Sequence, residues 1–140
     1  GCSSRATIAG SAVVETRDIM PVALTGSTGF VGAAVTRAAG VQQVPLLMLL
    51  RRRPPVASGQ ADAGAACVVG ELGEGLIDPR ALRGCTAVIH AAARAHRMGE
   101  QGAEALAAYR QTNVMGTRAL IAAMVQAGVR RLVYVSSIKA

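Results

Sequence analysis

Short apolar runs alternate along the chain with longer stretches in which apolar positions recur every three or four residues. The short runs fall at residues 22–25, 44–50, 66–69, 87–90 and 132–136. They are apolar throughout rather than at every second position, as expected of strands buried on both faces of a parallel sheet. Helical patterns lie between several of them, over residues 31–39, 79–83 and 104–127. Local signals agree with these boundaries: Asp78-Pro79 reads as an N-cap followed by a first-turn proline, and Gly40, Gly84 and Gly128 stand where helix C-terminal glycines belong. The pattern predicts an α/β domain of βαβαβ type, a doubly wound parallel sheet. Pro54, Pro55, Ser58 and Gly59, with the Ala/Gly-rich stretch to Ala65, predict a surface loop. Residues 1–20 predict a poorly ordered lead-in. No internal repeat interrupts the pattern.

The junction of the first strand with the first helix is unusually rich in glycine. In Thr25-Gly26-Ser27-Thr28-Gly29-Phe30-Val31-Gly32 the spacing is TGxxGxxG rather than GxGxxG. A turn of this kind lets a diphosphate lie against backbone N–H groups at the positive end of a helix, where side chains would block the approach. Gly26 is expected to make the tight turn, Gly29 to admit the diphosphate and Gly32 to bring helix and strand close together. The blander alternative is that these glycines only end a strand.

Composition narrows the picture. With 140 residues and 51% hydrophobic positions the chain can bury one core. The net charge is +7, but the basic residues are scattered and aromatics make up only 2%, so no stacking surface for bases emerges and nucleic-acid binding is not expected. The 3 cysteines, Cys2, Cys67 and Cys85, share no metal-ligand spacing and are odd in number, which argues against a zinc site and a disulfide framework and for a reducing, cytoplasmic setting. No apolar run approaches the roughly 20 residues of a membrane span, and Arg5, Glu15, Arg17 and Asp18 interrupt the region where a signal peptide would be apolar. Neither a membrane nor export is expected.

TGSTGFVG resembles the cofactor loop of the extended short-chain dehydrogenase/reductases, in the branch that acts on nucleotide sugars. "AVIHAAARAH" resembles that family's fourth strand and its cofactor-side loop, and "YRQTNVMGTRALIAAMVQAGVRRLVYVSSIKA" its long helix and fifth strand. The resemblance runs from about residue 20 to residue 140 and is nearest to nucleotide-sugar epimerases, dehydratases and 4-ketosugar reductases. It implies a Rossmann-like sheet of five strands in the order 3-2-1-4-5, with residues 21–140 as the NAD(P)-binding domain.

Carried over by position, the resemblance places Gly26, Thr28, Gly29 and Gly32, with the backbone of Phe30 and Val31, around the cofactor diphosphate. It places Ala91, Ala92 and Ala93 beside the ribose and diphosphate. Glu71-Leu72 falls where the family has Asp-Leu or Asp-Ile, the carboxylate holding the adenine amino group. Asn113 opens the family's NVxGT motif, either touching the cofactor or satisfied locally as a helix-interior residue. His90, at the end of an apolar run, reads as a satisfied core histidine rather than a catalytic base. Ser137 matches the serine that orients the substrate hydroxyl, with Ser136 facing the nicotinamide; the alternative is that both cap a strand end.

Cofactor choice turns on the end of the second strand, where a carboxylate favours NAD and an arginine meets the extra phosphate of NADP. Arg51, Arg52 and Arg53 stand there, Arg51 nineteen residues after Gly32 and with no acidic residue before Asp62. NADP is therefore expected ahead of NAD. The alternative is a solvated strand end in a protein that still takes NAD, with one arginine stacked on adenine.

The family's Tyr-x-x-x-Lys pair does not occur: Tyr109 is followed four residues on by Asn113, and Tyr134, expected as core within the fifth strand, by Ile138. The sequence thus reads as the N-terminal part of a longer enzyme, cut after the fifth strand and lacking its nucleotide-sugar-binding part. Alone it is expected to be inactive and, with that strand as an open edge, prone to self-association. Pairing as a homodimer is compatible with the family. A non-enzymatic NAD(P)-binding or sensing module of the same fold is the alternative function.

Overall fold

The computed structural model describes residues 20–52, 65–73, 77–95 and 102–137. Five parallel strands, β1 (Val22–Thr25), β2 (Leu46–Leu50), β3 (Ala65–Val68), β4 (Ala87–His90) and β5 (Leu132–Tyr134), form one sheet in the order β3-β2-β1-β4-β5. The register sets Thr25 opposite Leu49 on one side and opposite His90 on the other. Chain direction across the sheet therefore reverses at β1, whose two neighbours are reached by connections that part to opposite sides. The carboxyl ends of β1 and β4 flank that switch point, where open α/β sheets bind ligands.

Helix α1 (Phe30–Val41) follows β1, a 3-10 turn at Pro79–Leu82 precedes β4, and α2 (Ala103–Tyr109) and α3 (Gly116–Ala127) are joined through a π-helical turn at Arg110–Met115. The core lies between one sheet face and α3. Ala23, Leu49 and Val88 point from the strands toward Leu82, Leu120, Ala123 and Met124. Leu82, Val88 and Leu120 are fully enclosed; burying each is worth about 1.5–3 kcal/mol.

The sequence pattern is corrected in several places. The second and fifth strands are shorter than the apolar runs, beginning at Leu46 and ending at Tyr134. The third is shifted one residue earlier, so Ala65, expected in the loop, is already in β3. The long helix is not one regular α-helix but is broken by the π-helical turn. Gly40 does not end α1: the helix runs through it to Val41, and the residue of positive φ beyond is Gln43, at 55°. Gly84 (φ 80°) and Gly128 (φ 78°) do follow their helical segments in left-handed conformation, and the Asp78 carboxylate accepts from the Arg80 N–H at 2.9 Å as an N-cap should. Tyr134 is not core. It is 51% exposed, because β5 is the last strand of the described sheet and nothing described covers this side chain fully. The expected lead-in (residues 1–19) and loop (residues 53–64, including Arg53), with Lys139, lie outside the described residues.

Candidate functional site

Two glycines shape the first βα turn. Gly26 has φ +73°, and a Cβ on it would stand 2.6 Å from the Ala92 nitrogen, so the loop after β4 closes directly onto the turn. A Cβ on Gly32 would lie 1.9 Å from the Gly26 carbonyl oxygen, a contact that only a bare backbone permits. Gly29 differs. It is the N-cap of α1 in extended conformation, and its Cβ would meet nothing closer than that same oxygen at 3.4 Å. Gly29 offers the first-turn N–H groups no side chain, and the first turn holds no acidic residue. The positive end of a 12-residue helix is thereby left open to an anion.

That end opens into a groove of about 710 Å3 along the carboxyl edge of the sheet, within the range that encloses an organic ligand. Its floor and near wall are Thr25 to Gly29, one end is made by Arg51, Arg52, Glu71 and Leu72, and the far wall runs from Ala91 to Ala95 with Thr112 above it. Of the residues expected at the cofactor, Gly26, Thr28, Gly29, Arg51, Arg52, Glu71, Leu72, Ala91, Ala92 and Ala93 line it together. Phe30, Val31 and Gly32 stand behind the loop in the first turn of α1, the Phe30 side chain 91% exposed and Gly32 buried. Ser136 and Ser137 are exposed just past β5 and outside the groove lining.

At the groove's end Arg51 Nη1 lies 3.5 Å from both carboxylate oxygens of Glu71, an exposed ion pair between the ends of β2 and β3. The far wall is braced by Asn113. Its Oδ1 accepts from the Arg94 N–H at 2.7 Å and its Nδ2 donates to the Arg94 carbonyl at 3.1 Å. The partner is the backbone of the loop after β4 rather than a group within its own helix, the local reading of this residue. The Arg94 guanidinium in turn lies 5.6 Å from the centre of the Tyr109 ring.

His90 is a buried, satisfied histidine, as its apolar surroundings suggest. Nδ1 is 2.6 Å from Thr25 Oγ1 and Nε2 is 3.0 Å from Thr117 Oγ1. Burial holds its pKa below the ordinary value. Sequence reasoning missed Thr112, Arg94 and the Thr25–His90–Thr117 connection. The spacing of Asn113 and Thr117, one helical turn apart, was the available signal for the last.

A doubly wound parallel sheet with an open helix N-terminus and a groove at its switch point is the architecture of the Rossmann-like dinucleotide-binding domains. The chain belongs to the NAD dependent epimerase/dehydratase family, whose family model matches residues 22–140. It is 34% identical over 118 residues to the UDP-glucose 4-epimerase of Vibrio cholerae, an alignment covering 84% of this chain and 35% of that protein. Among solved structures, a short-chain dehydrogenase/reductase superfamily protein from Agrobacterium tumefaciens with bound NAD matches with a TM-score of 0.64 at 34% identity, over 83% of this chain and 32% of that one. MoeE5 in complex with UDP-glucuronic acid and NAD matches with a TM-score of 0.65 at 29% identity, over 84% and 36%. The chain thus spans about a third of the length of these relatives. No described helix is long and apolar enough to cross a membrane.

Proposed function

We propose that these residues are the cofactor-binding part of an NAD(P)-dependent enzyme acting on a nucleotide sugar, as epimerase, dehydratase or reductase. The observation that carries this reading is the uncapped N-terminus of α1 facing a groove with Gly26 and Gly29 in its wall. A diphosphate there would accept from backbone N–H groups and lie in the favourable field of the helix, while Ala91 to Ala93 leave the opposite side free of bulk. The bound nicotinamide would supply hydride acceptance and return at a sugar carbon. Ser137, just past the carboxyl end of β5, would orient the reacting hydroxyl, with Ser136 beside it facing the nicotinamide. The sequence holds no Tyr-x-x-x-Lys, so in this reading the proton-transferring pair is not among these residues. The nucleotide-sugar relatives support the substrate class.

NADP is preferred in this reading because Arg51 reaches the groove's end, where a 2′-phosphate would compete with Glu71 for its guanidinium. Calorimetric titration of both cofactors tests it. The expected result is tighter binding of NADP, lost in Arg51→Asp; equal affinities, or an Arg51→Asp variant that still prefers NADP, would overturn the assignment.

A further inference from the structure

The hydroxyl protons around His90 can be assigned one by one. Thr117 Oγ1 lies 2.6 Å from the Asn113 carbonyl oxygen, which can only accept, so the single Thr117 proton is committed there. At its other contact, 3.0 Å from His90 Nε2, the Thr117 oxygen must therefore accept, and Nε2 must carry a proton. On the opposite side Thr25 Oγ1 accepts from the Ala92 N–H at 3.2 Å and lies 2.6 Å from His90 Nδ1. In the neutral ring that nitrogen is bare, and the Thr25 hydroxyl donates to it. A directional chain results: Ala92 N–H to Thr25, Thr25 to His90, His90 to Thr117, Thr117 to the Asn113 carbonyl. Only the neutral ring with its proton on Nε2 satisfies every member. A second proton on Nδ1 would face the Thr25 oxygen and force its hydroxyl to turn away.

Both ends of this chain grip the groove's far wall. Thr25 holds Ala92 directly, and Asn113, whose backbone takes the last proton, holds Arg94 through its side chain. We propose that His90, locked as the Nε2–H tautomer between Thr25 and Thr117, is a positioning residue that sets the Ala91–Arg94 wall at the spacing a dinucleotide requires. This rests on the reading of the groove as a dinucleotide site. The neighbours of His90 do not compete for the role: Thr25 from β1 and Thr117 from α3 are uncharged, and the titratable group on β5 is Tyr134, its ring 5.6 Å away and inclined by 53°.

The test uses the whole chain labelled with 15N-histidine. His90 is assigned against the other histidine, His96, by a His90→Phe variant, and NAD is the titrant, since its diphosphate does not titrate near neutrality. Without cofactor, long-range 15N–1H correlation should show His90 as the pure Nε2–H tautomer. Thr117→Val, which keeps shape and removes the hydroxyl, should weaken NAD binding about tenfold with unchanged circular dichroism, and Thr117→Ser should restore it. In the wild type, NAD affinity should fall on acidification with the same midpoint as the His90 ring resonances, a readout that stands even should Thr117→Val not fold. An Nδ1–H or mixed tautomer, NAD affinity unchanged in folded Thr117→Val, or affinity that does not follow His90 would overturn the proposal alone. Absence of any cofactor binding by the wild type would overturn the groove reading and this proposal with it.

Discussion

Asn113 and Arg94 close a two-bond ring between a side-chain amide and a backbone, Oδ1 accepting at 2.7 Å and Nδ2 donating at 3.1 Å. The amide pairs with the Arg94 backbone much as a neighbouring strand would, and so ties the loop after β4 to the helical segment that carries Asn113. Asn113→Asp keeps the acceptor but sets a carboxylate oxygen against the Arg94 carbonyl. It should lower unfolding free energy by about 1–3 kcal/mol, measured by urea denaturation, whereas Asn113→Gln, one methylene too long for both bonds at once, should recover little of the loss.

Gly32 and Gly29 should separate folding from binding. A Cβ at Gly32 lies 1.9 Å from the Gly26 carbonyl oxygen, so Gly32→Ala must push the first turn of α1 away from the turn that follows β1 and should prevent cooperative unfolding or lower the midpoint sharply. Gly29→Ala meets only ordinary contact at 3.4 Å and should melt like the wild type. Differential scanning calorimetry of the two variants distinguishes them.

The architecture was legible in the sequence because parallel strands must be apolar on both faces, and the runs at β1 and β4 matched to the residue. Strand ends were less legible, since apolar residues such as Val135 continue past the last sheet pairing at Tyr134. The π-helical turn left no periodic mark. Its surroundings are tertiary: at its end Leu72 packs where a Cβ on Gly116 would stand 2.8 Å away, and the Gln111 side chain donates to the Gly73 carbonyl. For the site, the glycine spacing announced the loop, but the alternatives weighed for Asn113 were the cofactor and a local partner in its own helix. Its actual partner lies 19 positions away in sequence, and only the fold brings the two together.

Glu71 holds Arg51 at the groove's end, and both side chains are partly solvated. An exposed pair of this kind contributes at most about 1 kcal/mol to stability. Glu71→Gln should therefore leave the melting temperature nearly unchanged while freeing Arg51, so the ratio of NADP to NAD affinity should rise. A competitive fluorescence titration of the two cofactors reads the ratio.

Stability should fall as the solution is acidified below pH about 6.5, the ordinary histidine value. Burial depresses the His90 pKa in the folded chain, so between the ordinary and the depressed values the unfolded chain binds more protons than the folded one. Unfolding free energy must then decrease as pH falls through that window and level off once both states are protonated. Denaturant midpoints for wild type and His90→Phe check this, since the variant should lose that part of the pH dependence.

The central claim is that the open N-terminus of α1 receives the diphosphate of a nicotinamide dinucleotide, and calorimetric titration of Gly29→Val with NADP and NAD addresses it most directly. A branched side chain at this position takes groove space rather than protein space. The account predicts that the variant keeps the wild-type circular dichroism and melting temperature but shows no heat of binding with either cofactor. A folded Gly29→Val chain that binds them as tightly as the wild type would contradict it.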